Sequence, residues 1–250
     1  MYSLSTVNPI LFRALELKAG QRVLDVGCGT GDPALALAQW VGPRGRVVGI
    51  DNAAAMLAVA RRRARLLRLR NLRFVRGDLD RLALGGRFHR ASARYALMFA
   101  ADPVQALRSI RASLAPGGIL AAAVWGPRAK NPGQYLRDDA VRPFLKEPPP
   151  DPETRAHPMR LGRPGLLPRL FRQAGFRAVK VEAAPVGSVY SSLEELASMQ
   201  CGSALAETWL ELPPAGRRRL TARLVSRFRR FQAGPVVRVP GHSWVVSGRR

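Results

Sequence analysis

No stretch limits the possible folds of this chain more than Arg22–Gly31, RVLDVGCGTG. Val23–Val26 is a short run rich in branched apolar residues that stops at three glycines spaced two apart, Gly27, Gly29 and Gly31. Asp32-Pro33 follows, then the apolar-rich Ala34–Val41. A buried strand, a tight turn and a helix account for this order, with Asp32 predicted as the N-cap and Pro33 as the first helical residue. Glycines at alternate positions remove side chains where the backbone bends sharply and approaches a ligand. Asp25, at the strand's end, is expected to aim its carboxylate into the same space.

The ligand need not be a phosphate. A dinucleotide loop reads G-x-G-x-x-G and leaves the helix N-terminus open to pyrophosphate. Here the loop reads D-x-G-x-G-x-G, one residue shorter, and carboxylates at Asp25 and Asp32 would repel pyrophosphate while suiting an ammonium or a sulfonium. A nicotinamide oxidoreductase is therefore the most distant of the enzyme readings.

Strands and helices alternate along the rest of the chain. Pro9–Leu17 reads as a short leading helix, Arg46–Ile50 as a second strand, and Met56, Leu57, Ala60, Ala64 and Leu67 recur at helical intervals. Leu72–Arg76 is a third strand and Phe88–Tyr95 a fourth, polar throughout and placed by its position between clearer elements. Asp102-Pro103 caps a helix with Leu107, Ile110 and Leu114 as its stripe, stopped by Pro116-Gly117-Gly118 before a fifth strand, Ile119–Trp125. Gly126–Arg163 is broken by prolines and holds one predicted helix, Gln134–Leu145. Pro164–Ala174 is a helix and Phe176–Glu182 a sixth strand. Ser192 and Glu195 form a capping box for a helix through Leu205. Pro213–Phe231 is an arginine-rich amphipathic helix read as core-facing, and Val236–Ser247 is the seventh strand.

This alternation predicts an α/β fold: a Rossmann-like, seven-stranded, mostly parallel sheet with helices on both faces and the last strand antiparallel. The whole of 1–250 is expected to form one domain. Segments 126–163 and 187–233 are expected as insertions on the substrate side, helical and lid-forming, since ligands in open α/β sheets bind beyond the C-terminal strand ends.

Those strand ends carry the chemistry. Gly27–Gly31 follows the first strand and Asp51 the second, 24 residues beyond Gly27. Asp78 follows the third, with Leu79 beside it, and both carboxylates could accept hydrogen bonds from the hydroxyl or amino groups of a ligand. Each charge-assisted hydrogen bond of this kind contributes ~1.5–3 kcal/mol. The loop Arg94–Ala100 follows the fourth strand, and Tyr95, Met98, Phe99 and Trp125 are candidates for the wall of an acceptor pocket.

Motif by motif, the chain resembles the class I S-adenosylmethionine-dependent methyltransferases. RVLDVGCGTG is similar to motif I, VVGIDNAAAML to motif II, RFVRGDLDRL to motif III and LRSIRASLAPGGILAAAVWG to the later motifs, a match running from about Leu17 to Trp125. Within that class the small-molecule methyltransferases of ubiquinone and menaquinone biosynthesis are most similar. The resemblance implies a cofactor site of Asp25, Gly27, Cys28, Gly29, Gly31, Asp51, Asn52, Met56, Asp78, Leu79 and Arg94. It implies S-adenosylmethionine as donor, S-adenosylhomocysteine as product and no metal. His89 and Ala54 depart from the family pattern, which commonly has an Asp and a small hydroxyl residue there.

No catalytic residue is assigned from sequence. His89, His157 and His242 are the only histidines, and His157 in the proline-rich stretch is the base candidate by location, set against a solvated loop histidine. An N-P-P-Y or D-P-P-Y run, paired glutamates and Mg²⁺ carboxylates are all missing after the fourth strand, which disfavours the adenine, protein-arginine and catechol subclasses. The net charge of +24 comes almost wholly from arginine, the only lysines being Lys18, Lys130, Lys146 and Lys180. Dispersed solvated charge is the favoured reading; a nucleic-acid partner is weighed and not favoured. A small-molecule acceptor is expected, with an RNA-modifying methyltransferase and a non-catalytic S-adenosylmethionine-binding or scaffold protein as alternatives. Cys28 and Cys201 do not suggest a disulfide framework, and no run approaches the length of a membrane span. A cytoplasmic monomer or homodimer is expected.

Overall fold

A computed structural model describes residues 4–82, 87–146, 157–201 and 205–250. A 3₁₀ turn, Leu4–Val7, leads into helix α1, Asn8–Leu15, which buries Leu11 and Leu15. Then come β1 (Arg22–Val26), α2 (Asp32–Val41), β2 (Arg46–Asp51), α3 (Ala54–Leu66), β3 (Leu72–Arg76), β4 (Phe88–Arg94), α4 (Pro103–Ser113) and β5 (Leu114–Trp125). The second half holds α5 (Pro132–Val141), α6 (Leu166–Gln173), β6 (Arg177–Tyr190), α7 (Leu193–Cys201), α8 (Ala206–Glu211), α9 (Pro214–Phe228), β7 (Gln232–Ala233) and β8 (Val236–Arg249).

The strand order is β3-β2-β1-β4-β5-β8-β6, with β7 paired to β8. Strands β1 to β5 run parallel, and β8 lies antiparallel between β5 and β6. This is the expected Rossmann-like sheet, with the two-residue β7 as an eighth strand. The order reverses between β1 and β4, so the glycine loop after β1 sits at the topological switch point, where open α/β sheets bind ligands.

The polar composition of β4 has a packing reason. Ser92 donates its hydroxyl to Asp25, Arg90 donates to the carbonyls of His89 and Glu16, and His89 Nδ1 accepts from the Arg22 amide at 2.9 Å. Ser92 and His89 thereby tie β4 to β1, and Arg90 ties it to the end of α1.

Several boundaries differ from the sequence reading, and three of them matter for the fold. Gly31, at φ 88°, caps α2, so Asp32 is the first helical residue instead of the cap. Strand β5 starts at Leu114 and takes in Pro116-Gly117-Gly118, the predicted helix stop. Strand β6 runs to Tyr190, eight residues past its predicted end, with Ala184, Val186, Ser188 and Tyr190 buried on one face. Pro185 is tolerated because β6 is the sheet's edge, where a missing N–H costs no ladder bond.

That extension shapes the molecule. Trp125, the last residue of β5, pairs with Ser243, whereas β6 and β8 remain paired as far as Tyr190 and Val237. Their far halves therefore project past the C-terminal ends of the parallel strands. On this arm α5, α7 and α9 enclose a second core that includes Tyr190, Leu196, Leu224, Phe228 and Val239. The predicted helix through Leu205 ends as α7 at Cys201; 202–204 lie outside the described residues, as do 147–156 of the proline-rich stretch. Asn131, 2% exposed, anchors that stretch: its side chain donates to the carbonyls of Gly126, Pro127 and His242 and accepts from the His242 amide at 2.9 Å. Among the described residues no helix is long and apolar enough to cross a membrane.

Candidate functional site

Beyond the C-terminal ends of β1 to β4 lies a cleft of about 590 Å³, within the usual range for small-molecule sites. Its floor is the loop after β1. Gly27 and Gly29 have φ of 67° and 51°, left-handed values that glycine adopts without strain. A Cβ on Gly27 would lie 2.4 Å from the Ala96 Cβ, so the loops after β1 and β4 are in contact at backbone distance. The loop is tied down by bonds from the Cys28 amide to the Ile50 carbonyl (2.9 Å) and from the Gly31 amide to the Cys28 carbonyl (2.8 Å).

Asp51 closes one side. Its Oδ2 accepts from the Gly29 amide at 2.8 Å and its Oδ1 from the Ala53 amide at 2.9 Å, so the carboxylate braces the glycine loop and the entry to α3 together. Two bonds leave a carboxylate with acceptor capacity for a ligand. Asp78 is exposed at the rim, where it caps the turn Leu79–Arg81 by accepting from the Asp80 amide. Asp80 lines the cleft as well and accepts from the amides of Ala101 and Asp102, fastening the loop after β4. Met56, Leu79 and Phe99 add apolar walls, with Phe99 69% exposed. Asn52 lines the entry beside Asp51.

Of the eleven expected cofactor residues, nine line the cleft and two do not. Gly31, the N-cap of α2, is buried against β3 and α3, where a Cβ would meet Phe74 at 3.0 Å and Ala60 at 3.1 Å. Asp25 is fully buried behind the glycine loop and does not point into the cleft. Burial pushes its carboxyl up to about 7, against the opposing effects of the Ser92 hydroxyl and the Arg94 charge. Among the described residues its Oδ2 has no hydrogen-bond partner. Arg94 lines the cleft with its guanidinium committed, ion-paired to Asp32 at 2.5 Å and donating to Asn8 Oδ1 at 3.0 Å. Cys28 is buried, and desolvation followed by the Asp25 and Asp51 charges pushes its thiol far above the ordinary value. It is no nucleophile at neutral pH.

The four expected acceptor-wall residues divide. Tyr95 and Phe99 line the cleft. Met98 is 1% exposed and belongs to the core, because the 3₁₀ turn Leu97–Phe99 sends it inward. Trp125 stands behind Tyr95, the two rings stacked at 4.8 Å, while the Tyr95 hydroxyl is 2.8 Å from Ser243 Oγ. The cleft is also lined by Thr30 and Asp80, which the sequence reading did not assign, and by Asp32, which it names only for its charge and as a helix cap. Asp80 had a signal, a second carboxylate two positions after Asp78 in RFVRGDLDRL.

No histidine lines the cleft. His157 is buried and not the solvated loop residue expected: its Nδ1 accepts from the Met159 amide at 3.1 Å and its Nε2 lies 3.8 Å from Asp138. Burial lowers its pKa despite the Asp138 charge. Among the described residues no group of three or more His, Cys, Asp or Glu side chains is placed to hold a metal. The net result is four carboxylates, Asp32, Asp51, Asp78 and Asp80, facing one arginine that Asp32 already neutralises. Such a cleft favours a cationic ligand with hydroxyl and amino donors.

Comparison with known proteins agrees. Residues 17–140 match the family model described as a methyltransferase domain. The chain is 41% identical over 105 residues to a 2-phytyl-1,4-naphtoquinone methyltransferase of Thermosynechococcus vestitus, 42% of this chain and 46% of that one. It is 32% identical over 107 residues to a demethylmenaquinone methyltransferase of Bacillus cereus, 42% and 45% of the two chains. The match thus spans less than half the length of these relatives. In structure the chain is similar to the YcgJ protein of Bacillus subtilis, with a TM-score of 0.62 at 18% identity over 98% of this chain and 97% of that one, a likeness of fold.

Proposed function

We propose that this chain, which belongs through residues 17–140 to the methyltransferase-domain family, transfers a methyl group from S-adenosylmethionine to a small-molecule acceptor. The observation that carries the reading is the charge of the cleft: Asp51, Asp78 and Asp80, three carboxylates without a cationic partner among the described residues, around a bare glycine floor. Asp51 would take the ribose hydroxyls, Asp78 the adenine amino group and Met56 and Leu79 the faces of the base. Gly27, Cys28 and Gly29 would receive the methionine portion along their backbone. When bound, the donor supplies an electrophilic methyl group on a sulfonium whose departure leaves a neutral thioether.

The chain's own contribution is then mainly alignment, which can be worth ~7–11 kcal/mol. Tyr95, held by Ser243 and by Trp125, offers a fixed wall for the acceptor. With no histidine lining the cleft, an acceptor that needs little base assistance fits best. The relatives named for quinones support an apolar acceptor, and the described parts of 126–163 and 187–233, which carry α5, α7, α8 and α9, are read as its cover within a single domain.

Calorimetry with S-adenosylhomocysteine tests the donor site: Asp51→Asn should weaken binding about 10-fold or more through the loss of charge-assisted bonds worth ~1.5–3 kcal/mol each. Unchanged affinity would refute the assignment. Transfer of a labelled methyl group to the small-molecule fraction of an extract, and not to its RNA or protein, tests the acceptor class.

A further inference from the structure

The rim of the sheet opposite the cleft has a regular charge pattern. Of the seven long strands, all but β5 have an exposed arginine at that end. In sheet order these are Arg70 before β3, Arg46 opening β2, Arg22 opening β1, Arg87 before β4, Arg249 closing β8 and Arg177 opening β6. At β5 the place is taken by Arg250, which donates to the carbonyls of Ala112 and Leu114. Among the described residues the one carboxylate ion-paired with any of the six is Glu16, bound to Arg249 at 2.8 Å. Carboxylates instead collect at the cleft rim. At the β2–β3 end the row opens into a cleft of about 510 Å³ lined by Arg46, Arg68 and Arg70.

We propose that this N-terminal rim is a docking surface for the phosphate backbone of a single-stranded nucleic acid, held independently of base sequence and apart from the acceptor site. Charge complementarity gives the class of partner: arginine forks bind phosphate bidentately, and among the described residues five of the six have no ion-paired carboxylate to compete for them. Shape narrows it. At ~4.8 Å per strand the row is ~30 Å long. Adjacent strands rotate by ~20–25°, so the row follows a helical curve instead of a plane. A flat lipid surface touches part of such a curve; a flexible polyanion can follow all of it. The strand would be held by its backbone, so binding fixes position without reading sequence.

The test is fluorescence anisotropy with a labelled RNA strand of about 20 nucleotides, more than the ~30 Å rim requires, titrated over a range of salt. Five phosphate contacts give a slope of log affinity against log salt of about −3.5, a loss of about 100-fold between about 50 and 200 mM. The double variant Arg46→Ala/Arg70→Ala should bring the slope to about −2 and leave S-adenosylhomocysteine binding unchanged, which also shows that it folds. Arg218→Ala/Arg229→Ala on and beside α9 should leave the slope as it is. A slope near zero, a slope lowered by the α9 pair and not by the rim pair, or rim-dependent binding to phosphatidylglycerol vesicles with none to RNA would each overturn the proposal. The readout needs no methyl acceptor, so it stands or falls separately from the transferase reading.

Discussion

Gly27→Ala separates two demands that the cleft floor places on one residue. The first is conformational: at φ 67° an L-residue sits in the left-handed region, at a cost of about 1–2 kcal/mol. The second is steric. The added Cβ would be 2.4 Å from the Ala96 Cβ and 3.4 Å from its Cα, so the loops after β1 and β4 must separate by about an ångström. Overpacking of that kind costs about 1–3 kcal/mol. The single variant should therefore lose about 2–5 kcal/mol in urea unfolding, and its affinity for S-adenosylhomocysteine should fall because Gly29 and Asp51 move with the loop. Adding Ala96→Gly removes the contact and leaves the φ penalty. The double variant should recover the steric part, so the cycle yields a coupling of about 1–3 kcal/mol. A single variant within about 0.5 kcal/mol of the parent, or a double variant no more stable than the single, would refute this account of the floor.

Two further outcomes follow from buried polar groups. Asp25 has its carboxyl raised to about 7 by burial, against an ordinary value of 3.8 in the unfolded chain. A raised folded-state pKa means stability that is full below about 4 and lost as pH rises through 7, with a ceiling of ~4 kcal/mol. Thermal melts of Asp25→Asn should show that slope flattened, and an unchanged pH profile would exclude Asp25 as its source. Asn131→Ala strips three donor bonds and one acceptor bond from carbonyls and an amide at the root of the helical arm. It should cost about 2–4 kcal/mol and speed proteolysis within 126–163 before the sheet unfolds; simultaneous loss of both would show that the arm is not separately anchored.

The sheet was legible where apolar period and turn chemistry agreed. Strand, glycine turn and helix at Arg22–Val41 leave little freedom, and the carboxylates of Asp51 and Asp78 fall at strand ends because a parallel sheet puts all its crossovers' exits on one side. Asp25 misled for a physical reason. In a strand buried on both faces, a residue one position before the end has no solvent side, so its carboxylate had to find Ser92 on the neighbouring strand. Only pairing across β1 and β4, which are 67 residues apart, reveals that partner. Met98 and Phe99 make the same point on a smaller scale, since a single 3₁₀ turn decides which of two adjacent apolar residues meets the core and which meets the cleft.

The arm and the arginine rim were hidden for opposite reasons. The alternation Ala184, Val186, Ser188, Tyr190 is a period-two strand signal, but Pro185 and Gly187 occupy its outward positions and read as breakers. They are harmless only because β6 is the edge, a fact about sheet order that no local window contains. The rim arginines are each unremarkable in sequence, one at or next to the end of every long strand but β5, and their spacing of seventeen or more residues looks like dispersal. Parallel strands convert that period into adjacency: residues one βα unit apart become neighbours ~4.8 Å apart. The same conversion gathers Asp51, Asp78 and Asp80 on the other rim, a partial sorting, since Arg76 and Arg94 close β3 and β4 there. Composition alone, which sees only the sum of +24, cannot distinguish that sorting from scatter.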